Sequence, residues 1–167
     1  MAIIKPFKAI RPTRDKAALA TSRTYDEYSK KELEAELSFN PYSFLHIIKK
    51  GIKKNGEANG LHSFKKVRST YETFKQEGIY KMDKKPHFYL HQKIFGSDIF
   101  WGIVAIAHVQ DYQNNVIKKH ENTLKRREEL FGNYLGEVGF NAEPVLLTYK
   151  ESAVLNGVYN SYKSKKL

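Results

Sequence analysis

The chain has 167 residues, 41% hydrophobic and 13% aromatic, a globular composition long enough to bury a sizeable core, which argues against wholesale disorder. Its 29 Lys and Arg against 18 Asp and Glu give a formal charge of +11, which favours phosphate-bearing small molecules, nucleic acid or acidic proteins over cationic partners. The absence of cysteine excludes disulfides, Cys nucleophiles and thiolate zinc sites, and no stretch approaches a membrane span, so the expected address is cytoplasmic with no membrane partner.

Ala2 to Ile10 reads as a short entering strand interrupted at Pro6, and Arg11-Pro12-Thr13 as the break that ends it. Asp15 to Ala20 suits one or two helical turns. Thr21 to Tyr28 is a polar and aromatic loop carrying Arg23, Tyr25, Asp26 and Tyr28. Ser29 followed by Glu32 is a capping box, so a helix with Leu33 and Leu37 on one face starts there and stops before Asn40-Pro41. Ser43 to Ile48 is expected as a buried strand, and Lys49 to Asn59 as a Lys-, Gly- and Asn-rich surface connection.

Leu61, Phe64, Val67, Tyr71 and Phe74 recur at helical spacing, with Gly78 placed to end the helix. After a short basic turn at Lys81 to Lys85, His87 to Phe95 and the apolar run Ile99 to Val109 are expected to pair as a hairpin through Gly96-Ser97-Asp98, the second strand buried. Gln110 to Asn115 is a polar turn cluster. From Leu124 the apolar residues Phe131, Leu135 and Val138 follow at helical spacing, and Gly132, Gly136 and Gly139 weaken and end that helix. Val145 to Tyr149 is expected as a short buried strand, and Val154, Leu155, Val158 and Tyr162 as a terminal helix running into Lys163, Lys165 and Lys166. Helices and strands alternate with one hairpin, so the expected fold is α/β, a mixed sheet with helices packed on it, as a single domain over residues 1–167.

The chemically densest stretch is Val116 to Glu129. It sets Lys118, Lys119, His120, Glu121, Thr123, Lys125, Arg126 and Arg127 where an apolar strand is expected to hand over to a helix. With Asn122 or Thr123 as cap, the free N–H groups of that helix and the surrounding cations would suit a phosphate. The plain alternative is a solvated basic surface with Glu121 pairing a neighbouring lysine. His87, His91, His108 and His120 lack tight metal-ligand spacing, so no metal site is expected, and no P-loop, GxSxG or GxGxxG occurs.

Lys5-Pro6-Phe7-Lys8-Ala9-Ile10-Arg11-Pro12, Tyr25-Asp26-Glu27-Tyr28-Ser29, Asn40-Pro41-Tyr42-Ser43-Phe44-Leu45-His46, Lys118-Lys119-His120-Glu121-Asn122-Thr123 and Glu143-Pro144-Val145-Leu146-Leu147-Thr148-Tyr149 stand in the order found in the bacterial and archaeal DUF1015 family, which the chain resembles along nearly its whole length. The resemblance implies a longer protein of which this is the N-terminal part, because family members normally carry an Asp-Gly-His-His-Arg block further on. It also implies a distant likeness to the ParB and sulfiredoxin superfamily, which includes nucleotide-using enzymes and a free-serine kinase, and family genes often neighbour those of serine biosynthesis.

On that resemblance, Lys118, Lys119, Thr123 and Arg126 would contact phosphate. His120 and Glu121 would be catalytic, with Glu121 a base toward a hydroxyl or a holder of magnesium, and ATP or ADP would be the cofactor. Arg23, Tyr25 and Asp26 would line the same site. Lys119 stands where the family more often has Arg, and Thr24 where Pro is usual. Two functions are therefore expected: a phosphate-handling enzyme of small-molecule metabolism, with a possible serine link, and, as the alternative, a basic nucleic-acid-binding module with Tyr and Phe for stacking. A scaffold without activity of its own is the third.

Overall fold

The longest helix, Leu61–Gln76 (α4), organises the core because Phe64, Val67, Tyr71 and Phe74 recur along one stripe and are all buried. The computed structural model describes residues 2–48 and 61–163. The connection expected from Lys49 to Asn59, Lys165 and Lys166, and the side chain of Leu61 lie outside the described residues. Gly78 ends α4 as expected: at φ +73° it lets its own N–H reach the Lys75 carbonyl at 3.0 Å and the Ile79 N–H reach the Phe74 carbonyl at 2.9 Å. Ile79 then folds back into the core beside Phe74.

Before α4 come the short strands Ile4–Lys5 (β1) and Ile10–Pro12 (β2), the single helical turn Ala17–Ala20 (α1), a 3-10 turn at Tyr25–Glu27, and the helix Lys30–Phe39 (α2). The capping box is present in full: the Ser29 hydroxyl accepts from Glu32 N–H, and Glu32 accepts from Ser29 N–H at 2.8 Å. After α4 come Tyr80–Met82 (β3), Tyr89–Phe95 (β4), Asp98–Val104 (β5), Ile106–Ala107 (β6), Val109–Gln113 (α5), Lys125–Val138 (α6) and Ala153–Lys163 (α7). The α/β class holds. Among the described residues the strands are antiparallel and form three two-stranded ladders, β1–β6, β2–β3 and β4–β5. Phe7 and His87 exchange both backbone hydrogen bonds, at 3.0 and 2.8 Å, so the N-terminal segment is tied to both arms of the hairpin. Pro6 interrupts it there, where the missing N–H is tolerated at an edge.

Several expectations are corrected. Ser43 to Ile48 is buried but not a strand: Leu45–Ile48 forms a helical turn (α3), with His46 N–H on the Ser43 carbonyl at 3.1 Å and Ile47 N–H on the Phe44 carbonyl at 2.9 Å. A short apolar run satisfies either geometry; here the His46, Ile47 and Ile48 N–H groups close onto Ser43 and Phe44, while the Phe44 N–H reaches the Ala20 carbonyl at 3.1 Å. Val145 to Tyr149 is not a strand among the described residues and is not buried, with Val145 82% and Leu146 89% exposed. No ladder receives it, and its side-chain tie is the Tyr149 hydroxyl 2.6 Å from that of Tyr159. The run Ile99 to Val109 is divided and largely exposed, because pairing with β4 ends at Tyr89–Val104 and the chain then turns to pair with β1.

Arg11 and Pro12 belong to β2, with Pro12 opposite Tyr80 on the edge of a two-stranded ladder, so the break falls at Thr13. Lys81 and Met82 accordingly belong to β3, not to a turn, and within Gln110 to Asn115 the first four residues continue the helical turn α5, Asn115 making the bend at φ +58°. α6 has its expected place and packs on α4 through Tyr134, whose ring meets Phe64 edge-on at 5.1 Å, and through buried Val138. Of the apolar residues expected at helical spacing, Val138 is buried against α4 while Leu124, Phe131 and Leu135 are exposed. In α7 the docked residue is Tyr159, stacked on Trp101 at 6.4 Å. No helix among the described residues is long and apolar enough to cross a membrane.

Candidate functional site

The basic segment is a loop between two helices, not the junction of a strand with a helix. Its root is fixed by Asp111: the backbone carbonyl accepts from Val116 N–H at 2.8 Å and Ile117 N–H at 2.9 Å, while the carboxylate accepts from Ile3 N–H at 2.7 Å. α5 itself starts under an unusual cap, His108 Nδ1 accepting from Gln110 N–H at 3.2 Å. Beyond the root the chain is open to solvent. The side chains of His120 and Glu121 are 95% and 78% exposed, with Nδ1 and Oε2 4.0 Å apart.

α6 begins with Leu124 in the capping position, and neither Asn122 nor Thr123 supplies the expected cap. The Thr123 hydroxyl is turned instead to the Glu128 carboxylate, which also draws that carboxylate toward the start of the helix. The first N–H groups of α6 therefore have no side-chain acceptor, and Lys125, Arg126 and Arg127 surround them, exposed. Lys118, Lys125, Arg126 and Arg127 make no ion pair among the described residues, and Lys119 Nζ rests over the Tyr112 ring at 4.6 Å. Cations collected at the positive end of a helix dipole repel one another, and an anion relieves that repulsion.

Arg23 has partners of its own. Its guanidinium sits over the Tyr28 ring at 4.3 Å and meets Glu32 at 3.2 Å, and its N–H donates to the Tyr28 hydroxyl at 3.1 Å. Hydrogen bonds from the Ser29 hydroxyl and N–H, and then from Arg23, pull the Glu32 carboxyl down to about 2. Arg23 and Tyr28 line an open depression of about 410 Å³ with Thr21, Ser22, Glu36 and Asn40. Tyr25 and Asp26 form the adjacent 3-10 turn and do not line it. No hydrogen bond, ion pair or ring contact among the described residues joins Arg23, Tyr25 or Asp26 to the loop of Lys118 to Arg126. Convergence of the two groups was expected, and no direct contact of these kinds carries it among the described residues.

A third cluster was not foreseen. Arg11 grips Asp83 with two hydrogen bonds, Nε to Oδ2 at 3.1 Å and Nη2 to Oδ1 at 2.8 Å, and the Tyr89 hydroxyl donates to Asp83 Oδ2 at 2.6 Å. The hydroxyl also accepts from Ala9 N–H at 2.8 Å, and Phe7 packs edge-on against the Tyr89 ring at 5.1 Å. The guanidinium, with help from the phenol, holds the Asp83 carboxyl below the usual range, while desolvation and then the carboxylate push the Tyr89 phenol up. Arg11 and Asp83 are 72 positions apart, so no spacing announces them. Because each partner is already engaged, the cluster fastens β2 to the start of the hairpin.

A second open cleft, of about 350 Å³, lies between the end of α4 and the segment after β2, lined by Thr13, Asp15, Lys16, Tyr42, Glu77 and Lys81. Its charges are mixed, and Lys16 is occupied over the Tyr42 ring at 4.4 Å. No group of three or more His, Asp or Glu side chains suited to a metal ion occurs among the described residues.

No curated protein and no solved structure matches the chain. Residues 4–167 match the family described as "Protein of unknown function (DUF1015)". The match takes in the N-terminal strands, the Arg23 loop, both long helices and the basic loop alike, and the chain belongs to the DUF1015 family.

Proposed function

We propose that this chain handles a phosphate-bearing small molecule through the loop of Lys118 to Arg126, as part of a phosphoryl-transfer or phosphate-ester enzyme. In this reading Lys118, Lys119, Thr123 and Arg126 hold the phosphate, and His120 with Glu121 moves the proton of the reacting hydroxyl. The observation that carries it is the uncapped start of α6 set among cations that have no acidic partner. In this reading a bound ligand covers His120 and Glu121, which are exposed without it, since acid–base groups work best when water is excluded. ATP or ADP with magnesium is the proposed co-reactant, and Arg23, Tyr25 and Asp26 would join only if their loop approaches. A cytoplasmic address and a distant ParB-like ancestry belong to the same proposal.

A second reading, nucleic-acid binding, is favoured by one finding: Phe88, Phe95, Phe100 and Phe131 are exposed in a chain of charge +11. Calorimetric titration with ATP, ADP, phosphoserine and a short DNA at two salt concentrations separates the two. Small-molecule binding that is lost in His120→Ala supports the enzyme. DNA binding that collapses with salt and ignores His120 supports the alternative. Failure of every ligand to bind sinks both.

A further inference from the structure

We infer that Tyr112 is the seat of a nucleotide base at the root of the basic loop, which makes the ligand a nucleoside phosphate in preference to an aliphatic phosphate ester. The inference rests on the phosphate reading of that loop and names the substrate class for it.

Tyr112 stands where the loop is anchored. It lies in α5, its carbonyl accepts from Asn115 N–H at 3.2 Å, and the neighbouring Asp111 carbonyl holds Val116 and Ile117. The side chain is 43% exposed, and no ring packs against it among the described residues. A stiff aromatic side chain on an anchored backbone offers a flat face at little cost in conformational entropy, which is what a stacked base needs.

Lys119 covers that face from the loop, its Nζ 4.6 Å from the ring centroid. Arg11, Lys16, Arg23 and Lys75 also rest over rings, but each of them meets a carboxylate at 3.7 Å or less. Lys163 lies over Trp101, whose ring is already stacked on Tyr159. Lys119 and Tyr112 are thus the pair in which, among the described residues, the cation has no carboxylate and the ring no second ring. An exposed contact of this kind holds a lysine by only about two- to fivefold, so it yields to a better pair of contacts. A nucleoside phosphate brings that pair in one molecule: the base takes the ring, and the ammonium it displaces turns to the phosphate. An aliphatic ester has no ring to offer, and a single ring seats one base where a strand binder uses several.

Calorimetric titration with ADP and with inorganic pyrophosphate, which keeps the diphosphate and lacks the nucleoside, tests this. The wild type should bind ADP more tightly than pyrophosphate. Tyr112→Ala should weaken ADP by about 5- to 150-fold and leave pyrophosphate within about twofold, whereas Tyr112→Phe, which keeps the ring, should retain ADP. Should Tyr112→Ala lower Tm, Tyr112→Leu fills the position without a flat face and must show the same split. ADP binding that ignores Tyr112→Ala, or ADP and pyrophosphate weakened alike, overturns the inference and leaves the phosphate loop standing. So does phenyl phosphate bound as tightly as ADP, or a short DNA bound more tightly. A wild type that binds pyrophosphate and gains nothing from the nucleoside overturns it too, and failure of both ligands to bind ends the phosphate reading with it.

Discussion

The Tyr89 hydroxyl bridges Asp83 and Ala9, donating to the Asp83 carboxylate at 2.6 Å and accepting the Ala9 N–H at 2.8 Å, so a single oxygen joins the N-terminal strand to the hairpin. Removing it in Tyr89→Phe leaves the aromatic contact with Phe7 intact and takes away these bonds together with the 3.1 Å contact of the hydroxyl with the Phe7 carbonyl. A fall of a few degrees in Tm is expected, measured by calorimetry. Asp83→Asn should show a comparable fall at neutral pH. Since the folded Asp83 carboxyl is held below its ordinary range, chiefly by Arg11, its contribution is present at neutral pH and is lost as pH falls below about 4 and through the folded value. The difference in Tm between wild type and Asp83→Asn should therefore shrink in acid, and a difference that stays constant would contradict this assignment.

The Ser29 and Glu32 pair makes a second acid-sensitive contribution. Ser29→Ala should cost about 0.5–2 kcal/mol in urea unfolding through loss of the cap. Glu32 sits at about 2, below its ordinary value, so its contribution is whole at neutral pH and disappears between about 4 and 2. Glu32→Gln should flatten the acid limb of the stability curve over that interval. An unchanged limb would show that the box does not persist in solution.

The glycines of α6 divide by backbone geometry. Gly132 and Gly136 lie inside the helix with nothing within 4 Å of an added Cβ, so Gly132→Ala and Gly136→Ala should each stabilise by about 0.5–1 kcal/mol. Gly139, at φ +76°, ends the helix in the left-handed region, and Gly139→Ala should destabilise by about 1–2 kcal/mol. Chemical denaturation reads all three, and a shared sign would mean that α6 does not end at Val138.

Phe64 is the hinge of the helix pair, buried on α4 and capped edge-on by Tyr134 from α6. Phe64→Ala should cost about 3–5 kcal/mol in unfolding free energy and expose Tyr134. A loss under about 1 kcal/mol would mean that α4 and α6 do not pack as described.

Elements specified by neighbouring residues were legible in the sequence. The Ser29–Glu32 box, the Gly78 stop and the Gly96-Ser97 hairpin turn each involve residues that touch within a few positions, and each stands where expected. Ser43–Ile48 and Val145–Tyr149 failed for one reason: whether a short apolar run becomes a strand depends on a partner edge that the run itself does not encode. Burial is less legible, since the spacing of Leu124, Phe131, Leu135 and Val138 shows a shared helical side without showing what meets it, and of the four Val138 is the buried one. In the candidate site the cations were legible by name, yet their freedom from acidic partners and the missing cap at Leu124 depend on the folded loop.

The most direct test of the phosphate-loop account is titration of ADP and phosphoserine into the wild-type chain and into Lys118→Ala/Arg126→Ala, followed by calorimetry at low salt. Saturable binding by the wild type that falls tenfold or more in the double variant is the predicted result, with Tm unchanged because both side chains are exposed and unpaired. Equal binding by the two proteins, or none by the wild type, would contradict the claim that this loop recognises phosphate.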